Sequence, residues 1–160
     1  SVLFFQTVQN KMHWAAHGNT AAEIIYKRAD AAAPNMGLTN FKGAKPTAGE
    51  AEIAKNYLSA EELDILNRIV TAYIEMAELQ AMNKTPMYMS DWIARLDDFL
   101  KMTGKDILTT AGKISHEQAM QKAHDEYEKY KENTKDELSK VERDFVEYID
   151  SAAKRLKKGK

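Results

Sequence analysis

SAEELDILNRIVTAYIEMAELQAM, residues 59–82, decides the fold class. Ser59 and, three residues on, Glu62 form a capping box, in which the hydroxyl and the carboxylate each satisfy a backbone N–H that the first helical turn leaves unpaired. Leu63, Leu66, Ile69, Val70, Tyr73, Ile74 and Ala77 then recur in steps of three and four. That period places them on one face of an α-helix. Asn83-Lys84-Thr85-Pro86 ends the pattern, and a shorter helix is expected from about Pro86 or Ser90 to Met102, with Trp92, Leu96, Phe99 and Leu100 inward and Gly104 as C-cap.

The same signals extend in both directions. Phe4, Val8, Met12 and Ala15 define a first helix, widened by Leu3 and Trp14 and stopped at Gly18-Asn19. Thr20 and Glu23 form another capping box and start a second helix, with Ala21, Ile24, Ile25 and Ala29 inward; its end is expected at Pro34. Ser115 with Gln118 opens the longest pattern, Met120, Ala123, Tyr127, Tyr130, Thr134, Leu138, Val141, Phe145, Tyr148 and Ala152. The step from Thr134 to Leu138 shifts this coiled-coil-like seam. A continuous helix of roughly 40 residues would span about 60 Å, so either a break near Asn133 or a projecting helix packed on a partner is expected. Asp136 with Lys140 and Asp150 with Lys154 are favourable i,i+4 pairs.

Residues 34–50 hold Pro34, Pro46, Gly37, Gly43 and Gly49, which is turn chemistry. Long loops inside compact domains carry function or are disordered. A short extended piece at Ile53–Tyr57 is the single strand candidate. The expected fold is all-α: a bundle of about five to six helices with a long C-terminal helix and a long irregular loop at about 34–58. Residues 1–130 form the helical domain and 131–160 a helical extension with a basic tail, part of the same domain.

Composition narrows the chemistry. Lys and Arg total 23 and Asp and Glu 24, unlike the strongly basic balance of a free-standing DNA-binding domain. Without cysteine, disulfides, thiol catalysis and zinc–thiolate sites are excluded. The sequence has no apolar run of about 18 residues to span a bilayer. Ser1-Val2-Leu3-Phe4-Phe5 lacks an initiator Met and a basic segment, so it reads as the start of a fragment rather than a signal peptide.

No hydrolase elbow, phosphate-binding loop or dinucleotide fingerprint is present. His13 and His17 share a helix face at a spacing that can hold zinc, but the HExxH frame is missing and no metal site or cofactor is expected. His116 and His124 read as exposed side chains. Glu50, Glu52 and Lys55 have the residue types of a metal-dependent nuclease at the wrong spacing. The aromatic set Tyr127, Tyr130, Phe145 and Tyr148 reads as core or dimer seam before a stacking platform. The candidate polar site comprises Gln9, Asn10, Lys11, Glu23, Arg28, Asp30, Asn35, Lys42, Lys55 and Asn56. Glu23 and Asp30, seven apart, would share a face of the second helix, with Arg28 reaching the loop. These side chains can brace loop backbone or line a pocket, and bracing is the favoured reading.

Several ordered stretches carry a family resemblance: Phe4-Phe5, Val8–Met12 with Trp14-Ala15, Thr20–Glu23, Arg28–Ala31, Pro34–Thr39, Ile53–Leu58, Leu66–Val70, Asp91-Trp92 and Gly112–His116. They resemble the C-terminal region of the RhuM (virulence protein RhuM) family, with Phe41 standing where that family has tryptophan. The resemblance implies a bacterial, cytoplasmic protein with a DNA-binding module ahead of this region, and links to toxin–antitoxin systems in some members. It supplies no catalytic mechanism. The expected role is an accessory or oligomerisation domain of a DNA-associated regulator or virulence-linked protein, forming a homo-oligomer. The alternatives are an enzyme domain acting on nucleic acid or phosphate esters, and a toxin- or antitoxin-type protein-binding module.

Overall fold

A computed structural model of the chain describes residues 2–135, 137 and 140–159. Among these, seven α-helices and no strand are present: α1 Val2–His17, α2 Ala21–Arg28, α3 Ala48–Ala51, α4 Ala60–Met82, α5 Met89–Met102, α6 His116–Thr134 and α7 Lys140–Lys158. The expected all-α bundle is therefore present, with one helix more than anticipated because α3 is a single turn. α1 packs against α4 and α5, α2 packs against α6, and the 34–58 segment fills the space beside α2 and α6.

The core follows the apolar stripes. Ile24, Met36, Leu58, Leu96, Leu100 and Ala119 are fully buried. Burying a side chain of Leu or Ile size stabilises by about 1.5–3 kcal/mol, so these positions fix how the helices meet. The stripe of α4 is buried only at Leu66, Ile69 and Tyr73. Ile74, expected inward, is half exposed, and Leu79 and Met82 are exposed as well. The far half of α4 runs past the helices that cover its start.

Thr20, Ser59 and Ser115 all make the capping boxes expected of them. A fourth box, Thr47 with Glu50, starts α3. Its sequence pattern is as plain as the others but lies inside the stretch read as irregular.

Two expectations are corrected. α2 stops at Arg28, not at Pro34: Ala29 is extended, and Asp30 folds back so that its Oδ1 accepts the Ala32 N–H at 2.9 Å. The side chain thus offers the backbone a turn in place of another helical turn. Ile53–Tyr57 is no strand; Ala54–Tyr57 form a 3₁₀ turn. An irregular segment, about residues 103–115, lies between α5 and α6. Of the two outcomes expected for the long C-terminal pattern, the break is present: it is two helices, with α6 ending at Thr134 and Glu137 outside any helix. That division answers the expected break near Asn133. The Asp136–Lys140 pair and the seam position Leu138 lie outside the described residues.

The 34–58 segment is irregular but anchored. Asn35, Met36 and Gly37 are consecutive left-handed residues, at φ of 55°, 50° and 93°. Such backbone costs a non-glycine residue about 1–2 kcal/mol. The complete burial of the Met36 side chain offsets that cost. Leu38, Tyr57 and Leu58 are buried too, and the Tyr57 hydroxyl donates to the Ala51 carbonyl at 2.6 Å.

Candidate functional site

α1 and α2 carry most of the polar candidates, and the structure sorts these into three groups. The first surrounds two adjoining cavities. The larger, about 460 Å³, is lined by Gln9, Asn10, Lys11, Ala22, Leu108 and His116 among others. The smaller, about 170 Å³, adds Glu52 and Lys55 to Gln9 and His116. Gln9 and Lys55 are exposed. Asn10 Oδ1 accepts the Ala21 N–H at 3.2 Å, tying α1 to the start of α2. Lys11 is buried; its Nζ donates to the Leu108 carbonyl at 2.7 Å and lies 2.9 Å from Asp97 Oδ1. A buried ammonium needs such partners.

The second group is the clasp around Glu23, which is 5% exposed. Its Oε1 accepts the Thr20 N–H and its Oε2 the Lys113 N–H, both at 2.9 Å. Burial alone would raise the carboxyl's pKa. The backbone donors of Lys113 and Thr20, with Lys27 and Lys113 charges nearby, outweigh it and hold the pKa below its ordinary value. Gly112, at φ +90°, lies so close that an added Cβ would stand 2.6 Å from Thr20 Cγ2. The 103–115 segment is thereby held on α2 by one side chain.

Arg28 centres the third group. Its guanidinium donates to both carboxylate oxygens of Glu62, at 2.7 and 2.8 Å, and to the Tyr57 carbonyl at 2.9 Å. The Arg28 hydrogen bonds hold Glu62 at a pKa of about 2, and the Glu62 carboxylate raises that of Arg28. Beside this pair lies a histidine couple: His13 Nδ1 and His17 Nε2 are 2.9 Å apart, with His13 1% exposed. α1 turns His13 inward together with Met12. Burial first, then the charges of His17 and Lys55, lower the His13 pKa from 6.5 to about 4.

A pH dependence follows. In the unfolded chain His13 takes a proton near pH 6.5; in the folded chain it resists until about pH 4. Its contribution is fully present above pH 6.5 and is lost as the pH falls towards 4. From pH 7 to pH 5 the loss is expected to be about 2 kcal/mol. Urea unfolding at the two pH values, in the natural chain and in His13→Gln, measures it. An equal pH dependence in both would show that His13 is not its source.

The remaining candidates serve the 34–58 segment or stand apart. Asp30 lies beyond the end of α2, so it does not share a helical face with Glu23 as expected. Asn56 Nδ2 donates to the Glu50 carbonyl, and the Asn56 carbonyl accepts the Thr39 N–H. Asn35 and Lys42 are exposed; the Lys42 backbone N–H donates to Glu50 Oε2. Glu62, Asp97 and Gly112 were not among the candidate polar residues read from the sequence. Glu62 was visible as a helix cap, but nothing local signals that Arg28, 34 residues earlier, shares its carboxylate. Among the described residues no group of three or more His, Asp or Glu side chains is gathered as metal ligands, and no helix is long and apolar enough to cross a membrane.

Chemically, the three groups differ from a catalytic cluster. The acids of the polar set, Glu23 and Asp30, accept backbone N–H donors and lie in separate turns. The Arg28 guanidinium holds a carboxylate of the protein itself.

The profile of the Virulence protein RhuM family matches residues 1–138. No curated protein and no solved structure matches the chain.

Proposed function

The chain belongs to the Virulence protein RhuM family, and from that premise we propose that it is an accessory, oligomerisation domain of a DNA-associated regulator, working through packing rather than catalysis. The observation that supports this reading is α7. From Glu142 to Gly159 every residue is exposed except the half-buried Ala152, yet the helix is strongly two-faced. Phe145, Val146, Tyr148, Ile149 and Leu156 are all exposed. An amphipathic helix gains its stability mainly by packing its apolar face, and an apolar face left open marks an interaction surface. Self-association would fix the distance between two DNA-binding modules carried elsewhere on the polypeptide, as half-site spacing requires.

An enzyme acting on phosphate esters would need acids and cations converging on one cleft with free oxygens and N–H groups. The hydrogen bonds of Glu23, Asp30 and Arg28 instead tie down loop and helix-end backbone, which favours the packing role. Sedimentation equilibrium over a concentration series tests the proposal. A mass that rises with concentration towards twice the monomer is expected. A monomer at every concentration, for this chain and for the protein with its DNA-binding module attached, would remove it.

A further inference from the structure

The distribution of charge and bulk along α7 specifies the covering partner and its orientation. Phe145, Tyr148, Ile149, Ala152 and Leu156 lie on one face at helical spacing, widened by Val146 and Ala153. The bulky residues of this face stand before position 150. Ala152 and Ala153 follow, and Leu156 closes it. Charge is graded as well. Glu142, Asp144, Glu147 and Asp150 stand in the first half with Lys140 and Arg143, whereas Lys154, Arg155, Lys157 and Lys158 make the second half wholly basic.

A parallel pair of such helices would set Phe145 against Phe145 and basic residues against basic residues, leaving gaps between the alanines. An antiparallel pair does the reverse. With the two-fold axis near Ile149, Phe145 meets Ala152 of the partner subunit and Asp144 meets Arg155 of the partner subunit. Large then fits small, and acidic flanks basic on the rim of the seam. Acids early and bases late also suit the dipole of a single helix, but that does not account for the gradient of side-chain size. Four acidic residues offset most of the six basic ones, so attraction to an anionic membrane, the other surface that a helix of this shape can use, is weak.

We propose that α7 pairs antiparallel with α7 of a second copy of this chain, the apolar face from Phe145 to Leu156 forming the seam and Asp144 with Arg155 setting its direction. This rests on the oligomerisation reading above and names its interface. One helix pair buries less surface than a standard interface, so the dimer is reversible and its population follows concentration.

Sedimentation of the whole 160-residue chain and four variants tests the pairing. Phe145→Asp, on an exposed side chain, should retain the helical circular dichroism and weaken dimerisation about 100-fold. Asp144→Lys and Arg155→Asp should each weaken it about tenfold, since the two-fold axis repeats the altered pair. Combined in one chain they should restore it, because the swapped charges meet again only in the antiparallel arrangement. A double variant no better than either single change overturns the orientation. A natural chain that dimerises, together with a Phe145→Asp chain that dimerises equally, places the interface elsewhere; the inference then falls while oligomerisation stands. A natural chain monomeric at every concentration removes both. A monomer that binds phosphatidylserine vesicles through Phe145 assigns the face to a membrane surface and likewise overturns the proposal.

Discussion

Gly37→Ala is expected to destabilise the folded chain by about 4 kcal/mol, a large share of the roughly 5–15 kcal/mol that holds a typical domain together. Two effects add. The residue has φ +93°, where a Cβ is strained by about 1–2 kcal/mol. An added Cβ would also stand 2.1 Å from the Arg28 carbonyl oxygen and 3.1 Å from its carbon. Both are backbone atoms at the end of α2, which cannot swing aside as a side chain does. Relief would require shifting either α2 or the turn that holds Met36, and Arg28 would lose its alignment with Glu62 and Tyr57. Gly18→Ala is the control, because Gly18 has φ +80° but nothing within 4 Å of an added Cβ. It should cost only the backbone strain, about 1 kcal/mol. Urea midpoints of the two variants separate the contributions, and equal losses would refute the clash.

Glu23→Ala should cost about 3 kcal/mol, because two N–H groups lose a charged acceptor in a buried setting. Glu23→Gln separates the two bonds. Glutamine keeps an oxygen for the Thr20 N–H, as capping boxes accept Gln at this position. Its amide nitrogen would then face the Lys113 N–H, donor against donor. The expected cost is intermediate, about 2 kcal/mol. Amide hydrogen exchange gives the sharper readout. The Lys113 amide should exchange faster in both variants, and the Thr20 amide only in Glu23→Ala. A Lys113 amide as slow in Glu23→Ala as in the natural chain would mean that the clasp does not hold the 103–115 segment.

These two predictions divide along what sequence can express. The capping boxes at Thr20, Ser59 and Ser115 and the inward Leu66, Leu96 and Leu100 were legible, because caps and stripes are local and periodic. The 34–58 loop was legible as turn chemistry, though its own capped turn at Thr47 went unread. The candidate polar residues were legible as a set but not in their partners. Lys11 meets Leu108 across 97 residues and Glu23 meets Lys113 across 90, and no spacing rule reaches that far. The inward turn of His13 was missed for a related reason: an imidazole at the edge of an apolar stripe gives no sign of which neighbour will cover it. Likewise, the end of α2 at Arg28 depended on Asp30 competing for backbone, not on the proline where the pattern stopped.

Those long-range ties also constrain how the polypeptide can acquire its shape during synthesis. The first two helices emerge from the ribosome with a lysine and a glutamate whose acceptor and donor have not yet been translated. Loop closure over such separations is entropically costly and slow compared with helix formation. Until residue 113 has left the exit tunnel, the ties of Lys11 to Leu108 and of Glu23 to Lys113 cannot form, so the amino-terminal helices are sealed late in synthesis.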